Sequence, residues 1–289
     1  MPKYDNSISG AFDPGITNGR LTLATATPIT VTDQTAKTTV YFTPFQGNRI
    51  SLYDGVDWQD VSFAEVSCAV PSNADTPFDI FGYLASGTLA IEALAWTNDS
   101  TRATVLTTQN GIYSKTGALT RKYLGTGRTT GVSGQTEVST SSCLLWNYYN
   151  RRRRFLNAKD TTDSWAYTTA TWQEFRAQST LGTSRVGLVI GVAEDEVEAT
   201  VQGMCSNATP CTTAVGVGVD SSTVNSAQYM AGSASAVTGV NTAKYLGFPA
   251  AGYHTLRALE ISAATGATTW YGDVGLAYWQ SGLLASLMA

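Results

Sequence analysis

The chain has 289 residues, a formal net charge of -4 and a charged fraction of 14%, and about one residue in seven is threonine. A charged share well below the roughly 25% of an average soluble domain, with an acidic balance, provides no basic field to draw in phosphates, so nucleic acid is excluded as a partner. No apolar run approaches the roughly 18 residues a helical membrane span needs, and no basic start leads into an apolar stretch, so the expectation is assembly in the cytoplasm without a membrane partner.

The length exceeds the usual single-domain mode, so one large all-β body or two packed β modules is expected. From Leu21 to Leu276, short runs alternate apolar and small polar residues and are cut by Gly, Asn, Asp and Pro, which is the two-residue period of strands. Residues 1–18 carry too little apolar content to fold alone and form an arm, either frayed or ordered against a neighbouring subunit. Strands follow at 21–26, 39–43, 49–53 and 58–63, with Asp54-Gly55 as a tight hairpin turn and a short helix at 63–68. A second hairpin joins 78–84 to 88–96 through Ser86-Gly87, and shorter strands lie at 112–114 and 120–124. Gly125, Gly127, Gly131 and Gly134 read as a loose connection. From 142 onward the expected strands are 144–149, 155–157, 165–168, 185–192, 196–205, 213–219, 253–263 and 268–274. The run from Val215 to Val219 sets valines on one face and glycines on the other, a face that a second sheet or chain can approach closely. Residues 221–243 read as an exposed loop or an interface finger. The expected organisation is an arm at 1–18, a β-rich module at 19–141 and a jelly-roll-type β-sandwich at 142–289.

Chemistry is harder to place. A serine or cysteine nucleophile needs a base, and the sole histidine, His254, lies inside a predicted strand, so no catalytic residue is expected. Cys68, Cys143, Cys205 and Cys211 have no metal-ligand spacing, and in a reducing compartment they are small buried hydrophobes. Cys205 and Cys211 bracket a turn and could face each other across a hairpin. Asp54, Asp57 and Asp60 could offer oxygens to calcium but read better as turn residues, leaving no metal and no cofactor. The carboxylates Asp75 with Asp79, and Glu194, Asp195, Glu196 and Glu198, are the groups a glycosidase would need. A solvated acidic loop is the better reading of the second set.

The dense charge run Arg151, Arg152, Arg153 and Arg154 follows Trp146, Tyr148 and Tyr149. These seven residues form the candidate interface. The preferred reading is a cross-subunit electrostatic contact, to the acidic 194–198 group or to another acidic protein, and the alternative is a strand edge kept basic against unwanted pairing. Trp58, Trp96, Trp165, Trp172 and Trp270 could form a sugar-stacking platform, but most lie in alternating strands, where burial is the better account.

Several segments taken in order carry a resemblance. They are 48–55 (Asn-Arg-Ile-Ser-Leu-Tyr-Asp-Gly) with Trp58 following, 94–104 (Leu-Ala-Trp-Thr-Asn-Asp-Ser-Thr-Arg-Ala-Thr) and 111–117 (Gly-Ile-Tyr-Ser-Lys-Thr-Gly). The series continues through 120–126 (Thr-Arg-Lys-Tyr-Leu-Gly-Thr), 146–151 (Trp-Asn-Tyr-Tyr-Asn-Arg) and 163–168 (Asp-Ser-Trp-Ala-Tyr-Thr). Over residues 20–200 the chain resembles a module of virion structural proteins of tailed bacteriophages and their prophage relatives. The resemblance implies a virion component and carries over no catalytic residue. Without a fibrous shaft, the expectation is a non-enzymatic capsid decoration (cement) protein, a homo-oligomer with trimers favoured, whose partners are major capsid or tail proteins. The rival reading is a tail-fibre or head-fibre tip that binds host glycans through exposed aromatics and the 221–243 loop. A carbohydrate-active enzyme is the third.

Overall fold

The computed structural model describes residues 13–234, 238–276 and 278–289. Within them the chain is all-β, apart from one short 3-10 turn at Phe175–Ala177. Two sheets face each other across the main core. The first has the order Gln34–Lys37, Thr136–Val138, Ser142–Cys143, Arg185–Ile190, Gly252–Ser262, Thr212–Val219, Ser233–Ala234. The second runs Arg153–Asp160, Ser281–Met288, Val197–Asn207, Gly239–Gly247, Tyr229–Ala231. From Ser142 onward the long strands alternate between the two sheets, so each crossover folds an apolar face onto its counterpart, and the result is a jelly-roll-type sandwich. Val186, Leu188, Val215, Val217, Leu256 and Ala258 from the first sheet meet Leu156, Ala199, Val201, Leu283 and Ala285 from the second. All are at most 2% exposed.

The preceding part of the chain builds a second core around Leu21, Val40, Phe42, Ile50, Phe78 and Ile80. Its largest sheet is ordered Thr88–Ala95, Pro77–Ala85, Ala118–Arg128, Ile112–Lys115, Leu106–Gln109. Strands cross the 141/142 boundary in both directions. Gln34–Lys37 and Thr136–Val138 extend the sandwich, while Leu145–Asn147 pairs with Ala118–Arg128. Asn147 adds a side-chain version of strand pairing, since its Oδ1 accepts from Leu21 N (2.7 Å) and its Nδ2 donates to Leu21 O (3.2 Å).

Both hairpins expected from sequence form. Asp54 and Gly55 turn between Arg49–Tyr53 and Trp58–Ser62, and Ser86 and Gly87 take φ of 50° and 82° between Pro77–Ala85 and Thr88–Ala95. Several details differ. The predicted helix at 63–68 is instead the strand Val66–Ala69, paired with Thr39–Pro44 and alternately exposed as a strand with β-branched Val should be. The predicted loose connection is, up to Arg128, the end of an 11-residue strand. Gly125 and Gly127 belong there because the Trp146 carbonyl and the Phe78 ring occupy the space a side chain would need.

The glycine face of Thr212–Val219 is closed by the chain itself. The segment after Asp220 folds back, with Val217 N donating to Asn225 Oδ1 (3.0 Å) and Ser226 N to Val217 O (2.7 Å). Much of the remainder of 221–243 is strand, and residues 235–237 lie outside the described residues. At Gly218 a methyl group would collide with the Ser221 carbonyl. Gly218→Ala is therefore expected to destabilise the protein by about 1–3 kcal/mol, the usual cost of overpacking. Thermal unfolding checks this, and an unchanged midpoint would mean that the loop does not sit on that face.

Of the predicted arm, residues 1–12 lie outside the described residues. Residues 13–18 lie against their own chain: Ser51 N donates to Ile16 O (2.9 Å) and Asn18 N to Arg49 O (2.7 Å). Beneath them the buried Lys122 ammonium donates to the carbonyls of Pro14 (2.9 Å), Ile16 (3.1 Å) and Ser51 (3.1 Å).

Candidate interaction face

The outer surface of the second sandwich sheet follows from strand parity. Residues directly opposite on antiparallel neighbours share a face, so Asn157, Leu284, Thr200, Lys244 and Tyr229 form one row across it, and Phe155, Ser286, Glu198 and Leu246 the next. The intervening rows, such as Leu156, Ala285, Ala199 and Tyr245, turn into the core. On the outer face Phe155 is 62% exposed, Leu284 55% and Tyr229 76%, so large apolar groups stand in water among hydroxyls and amides.

The charges on this face are only partly paired, since Arg153, Lys159 and Lys244 share it with a single carboxylate, Glu198. Glu198 receives Lys244 Nζ (2.8 Å) and Arg153 Nη2 (2.9 Å), and Lys244 first, then Arg153, holds its carboxyl below the usual range. Arg153 also donates to Ser286 Oγ (2.9 Å). The face thus presents apolar and neutral polar groups beside a small positive excess, to which the exposed Lys159 contributes.

The arginine run meets the acidic group named from sequence, but within the same chain, which corrects the cross-subunit reading for those pairs. Arg151 pairs with Glu194 (3.1 Å) and Asp195 and lies over the Trp146 ring (5.1 Å). Arg154 Nη1 donates to Thr30 O (2.9 Å), and Arg152 is exposed. Trp146, 1% exposed, is a core residue and offers nothing to a partner. Tyr148 packs edge-on against Tyr149 (4.9 Å) and Tyr113 (5.4 Å), and burial followed by the Glu194 charge pushes its hydroxyl up to about 12. Tyr149 is largely buried beneath the 13–18 segment, its ring 5.0 Å from Lys122 Nζ. The charge run and the aromatic cluster therefore do not form one exposed patch. Trp96 and Trp270 are buried, while Trp58, Trp165 and Trp172 are half-buried, consistent with packing rather than an open sugar platform.

The carboxylates considered for glycoside chemistry are held by arginines. Asp79 receives Arg102 Nε (2.7 Å) and Thr126 Oγ1 (2.7 Å), and Asp75 receives Arg128 Nη1 (3.1 Å). In the Asp54 turn, Oδ1 accepts from Val56 N and Asp57 N (both 2.8 Å), while Asp60 accepts from Arg49 Nε (2.9 Å), so these oxygens serve the hairpin. His254 uses both ring nitrogens, on Asp220 Oδ2 (2.7 Å) and Ala250 O (2.8 Å). Burial opposes its charge, but the Asp220 bond prevails and raises its pKa. Cys205 and Cys211 are free thiols. The strands before and after their turn enter opposite sheets rather than a hairpin, with Cys205 Sγ 3.1 Å from Thr213 Oγ1 and Cys211 Sγ 2.9 Å from Asn207 Nδ2.

Sequence reasoning missed the three carboxylates buried most systematically. Glu260 receives Trp165 Nε1 (2.8 Å), Gln173 Nε2 (2.8 Å) and Arg176 N (2.9 Å), and burial raises it to about 7. Glu174 receives Ser184 Oγ (2.6 Å), Arg185 Nε (2.7 Å) and Arg257 Nη1 (3.2 Å), and Asp160 receives Arg176 Nε (3.2 Å). The available signal was parity: Glu260 shares the inward face of its strand with Leu256 and Ala258.

No family model matches this sequence, and no curated protein matches it. Among solved structures, matches include BuGH86wt in complex with neoagarooctaose, at 9% identity over 88% of this chain and 34% of that chain, with a TM-score of 0.25. Another is the insecticidal delta-endotoxin Cry8Ea1 from Bacillus thuringiensis, at 7% identity over 94% of this chain and 52% of that one, with a TM-score of 0.24. This chain thus spans about a third and about half of those two proteins, and likenesses at these scores carry no argument about function.

Proposed function

We propose that this protein is a non-enzymatic structural component on the exterior of a tailed-phage virion, a decoration protein that adheres to the capsid shell. The observation carrying the reading is the outer face of the second sandwich sheet, where Phe155, Leu284, Leu246 and Tyr229 are exposed among neutral polar residues and Glu198 is paired with Arg153 and Lys244. Such a face can be covered by protein mainly through apolar and neutral polar contact, with its small positive excess left at a solvated rim. The sequence resemblance to virion modules supplies the particle, and a homo-oligomer, by the same resemblance a trimer, belongs to the proposal. At about 25 cal/mol per Å² of apolar area, an interface of standard size, ~1,600 Å², has a large gross driving force, and repeated copies add avidity.

Immunogold labelling of intact virions tests the placement. Label over the head supports the decoration reading, label at the tail tip transfers the protein to the glycan-binding fibre reading, and unlabelled particles refute both. The face itself is tested by Leu284→Arg. Leu284 is exposed, so folding should be unaffected, while affinity for purified expanded heads should fall at least about tenfold through a charge buried without a partner. Unchanged affinity in a co-sedimentation assay would place the contact elsewhere.

A further inference from the structure

Among the described residues every arginine has a carboxylate within ion-pair reach except Arg20, Arg152 and Arg154. These three lie together. Arg20 is buried, its pKa brought down to about 10 by desolvation and then by the positive charges of Arg154 and Arg152. Its own hydrogen bonds go to main-chain oxygens of Pro28 (3.2 Å), Asn150 and Ala289 (3.3 Å). Even a full carboxylate at Ala289 would offset only one of the three charges, so a positive excess remains here, whereas the other guanidiniums each have a carboxylate partner.

That excess borders a cleft of about 370 Å³ between residues 29–33, residues 138–143 and the start of the strand Arg153–Asp160. This strand is the outermost of its sheet, and its free edge is covered only in part. Arg152 and Ala289 exchange both backbone bonds (2.8 and 3.0 Å), which sets the parity: the amides of 153, 155, 157 and 159 point away from the sheet. Asn157 N finds Thr140 O (2.7 Å) and Lys159 N finds Gly182 O (2.9 Å). Arg153 N and Phe155 N have no main-chain acceptor among the described residues. The cleft also has exposed apolar walls, with Val31 93% and Phe155 62% accessible. Its one lining carboxylate, Asp33, is turned to Thr140 N (2.9 Å).

We propose that this cleft binds an extended acidic segment of a partner protein, which pairs as an added strand along residues 153–155 and sets carboxylates against Arg152 and Arg154. Each component of the cleft has a counterpart in such a segment: its carbonyls accept from the two open amides, its acidic side chains meet the unpaired guanidiniums, and its apolar side chains pack on Val31 and Phe155. A free anion or an acidic polysaccharide would use the arginines and leave the strand edge and the apolar walls unserved. The inference goes beyond the virion reading and does not require it, because it rests on the chemistry of one cleft.

The test uses the full chain and a fluorescein-labelled octapeptide of alternating Glu and Val, followed by fluorescence anisotropy at low ionic strength. A Lys-Val octapeptide, an N-methylated Glu-Val octapeptide and a labelled oligogalacturonate serve as comparisons. The Glu-Val peptide is expected to bind, the Lys-Val peptide to fail, and N-methylation to weaken binding by removing the strand pairing. Arg152→Glu, at an exposed position that leaves the circular dichroism spectrum unchanged, should weaken binding at least tenfold, the size of one charge-assisted hydrogen bond. Binding of the oligogalacturonate without the peptide, binding of neither, or peptide binding indifferent to Arg152→Glu or to N-methylation would each overturn the proposal.

Discussion

Replacing Asp79 with alanine is expected to destabilise the protein by about 3–5 kcal/mol, the range for removing one partner of a buried ion pair. Asp79 is 1% exposed, and burial pushes its carboxyl up even though Arg102 pulls the other way. Arg102 is what makes the site consequential. It donates to Asp79 Oδ2 at 2.7 Å and to the carbonyl of Gly191 at 2.5 Å, and it stacks over Trp96 at 4.4 Å. One side chain therefore ties a strand of the second core to the turn that leaves Arg185–Ile190 in the sandwich. Without Asp79 the guanidinium stays buried and loses its counter-charge, which should lower the urea midpoint. The double variant Asp79→Ala with Arg102→Ala should cost less than the two single changes added together, because the stranded charge is gone. A loss below about 1 kcal/mol for Asp79→Ala would remove the pair from any account of how the two cores are held together.

A minimum in stability near neutral pH is the second large effect expected. Burial lowers Lys122 from 10.5 to about 7 and raises Glu260 from 4.5 to about 7. Between about 7 and 10.5 the unfolded chain holds a proton on Lys122 that the folded chain lacks, so stability rises with pH across that window. Between 4.5 and about 7 the folded chain holds the Glu260 proton that the unfolded chain has released, so stability falls as pH rises. Each limb has a limiting slope of about 1.36 kcal/mol per pH unit and should span a few kcal/mol. Urea titrations at several pH values read this directly. Lys122→Met should flatten the alkaline limb and Glu260→Gln the acid limb, each leaving the other in place. A wild-type profile that each variant merely shifts in parallel would show that neither group titrates as its burial implies.

Strand-forming stretches were legible wherever apolar residues pointed inward and a turn carried its own chemistry, as at Asp54-Gly55 and Ser86-Gly87. Gly239–Gly247 was not, because its pattern is inverted. Asn241 and Ala243 face the core, while Val240 and Leu246 are 56% and 46% exposed, so the apolar periodicity points to the wrong side. Ser281–Met288 lacks a clean alternation yet lies between Arg153–Asp160 and Val197–Asn207 near the middle of its sheet. Its place is set by pairing with distant strands, which local spacing does not encode. The arginine run and the 194–198 carboxylates were both visible in sequence, but whether they meet within one molecule depends on tertiary geometry. The cleft beside Arg152 was less visible still, since its open amides belong to backbone and the positive excess behind it includes the buried, sequence-distant Arg20.

The strands exchanged across residues 141 and 142 restrict how such a protein can be altered by recombination. A cut at that point would leave the upstream fragment with Gln34–Lys37 and Thr136–Val138 and no sheet to extend, and would take Leu145–Asn147 away from the edge it completes. Each fragment would expose backbone that the other had satisfied. Recombination that keeps the fold is therefore expected to carry both sides of that point together, with insertions best tolerated at the exposed turns.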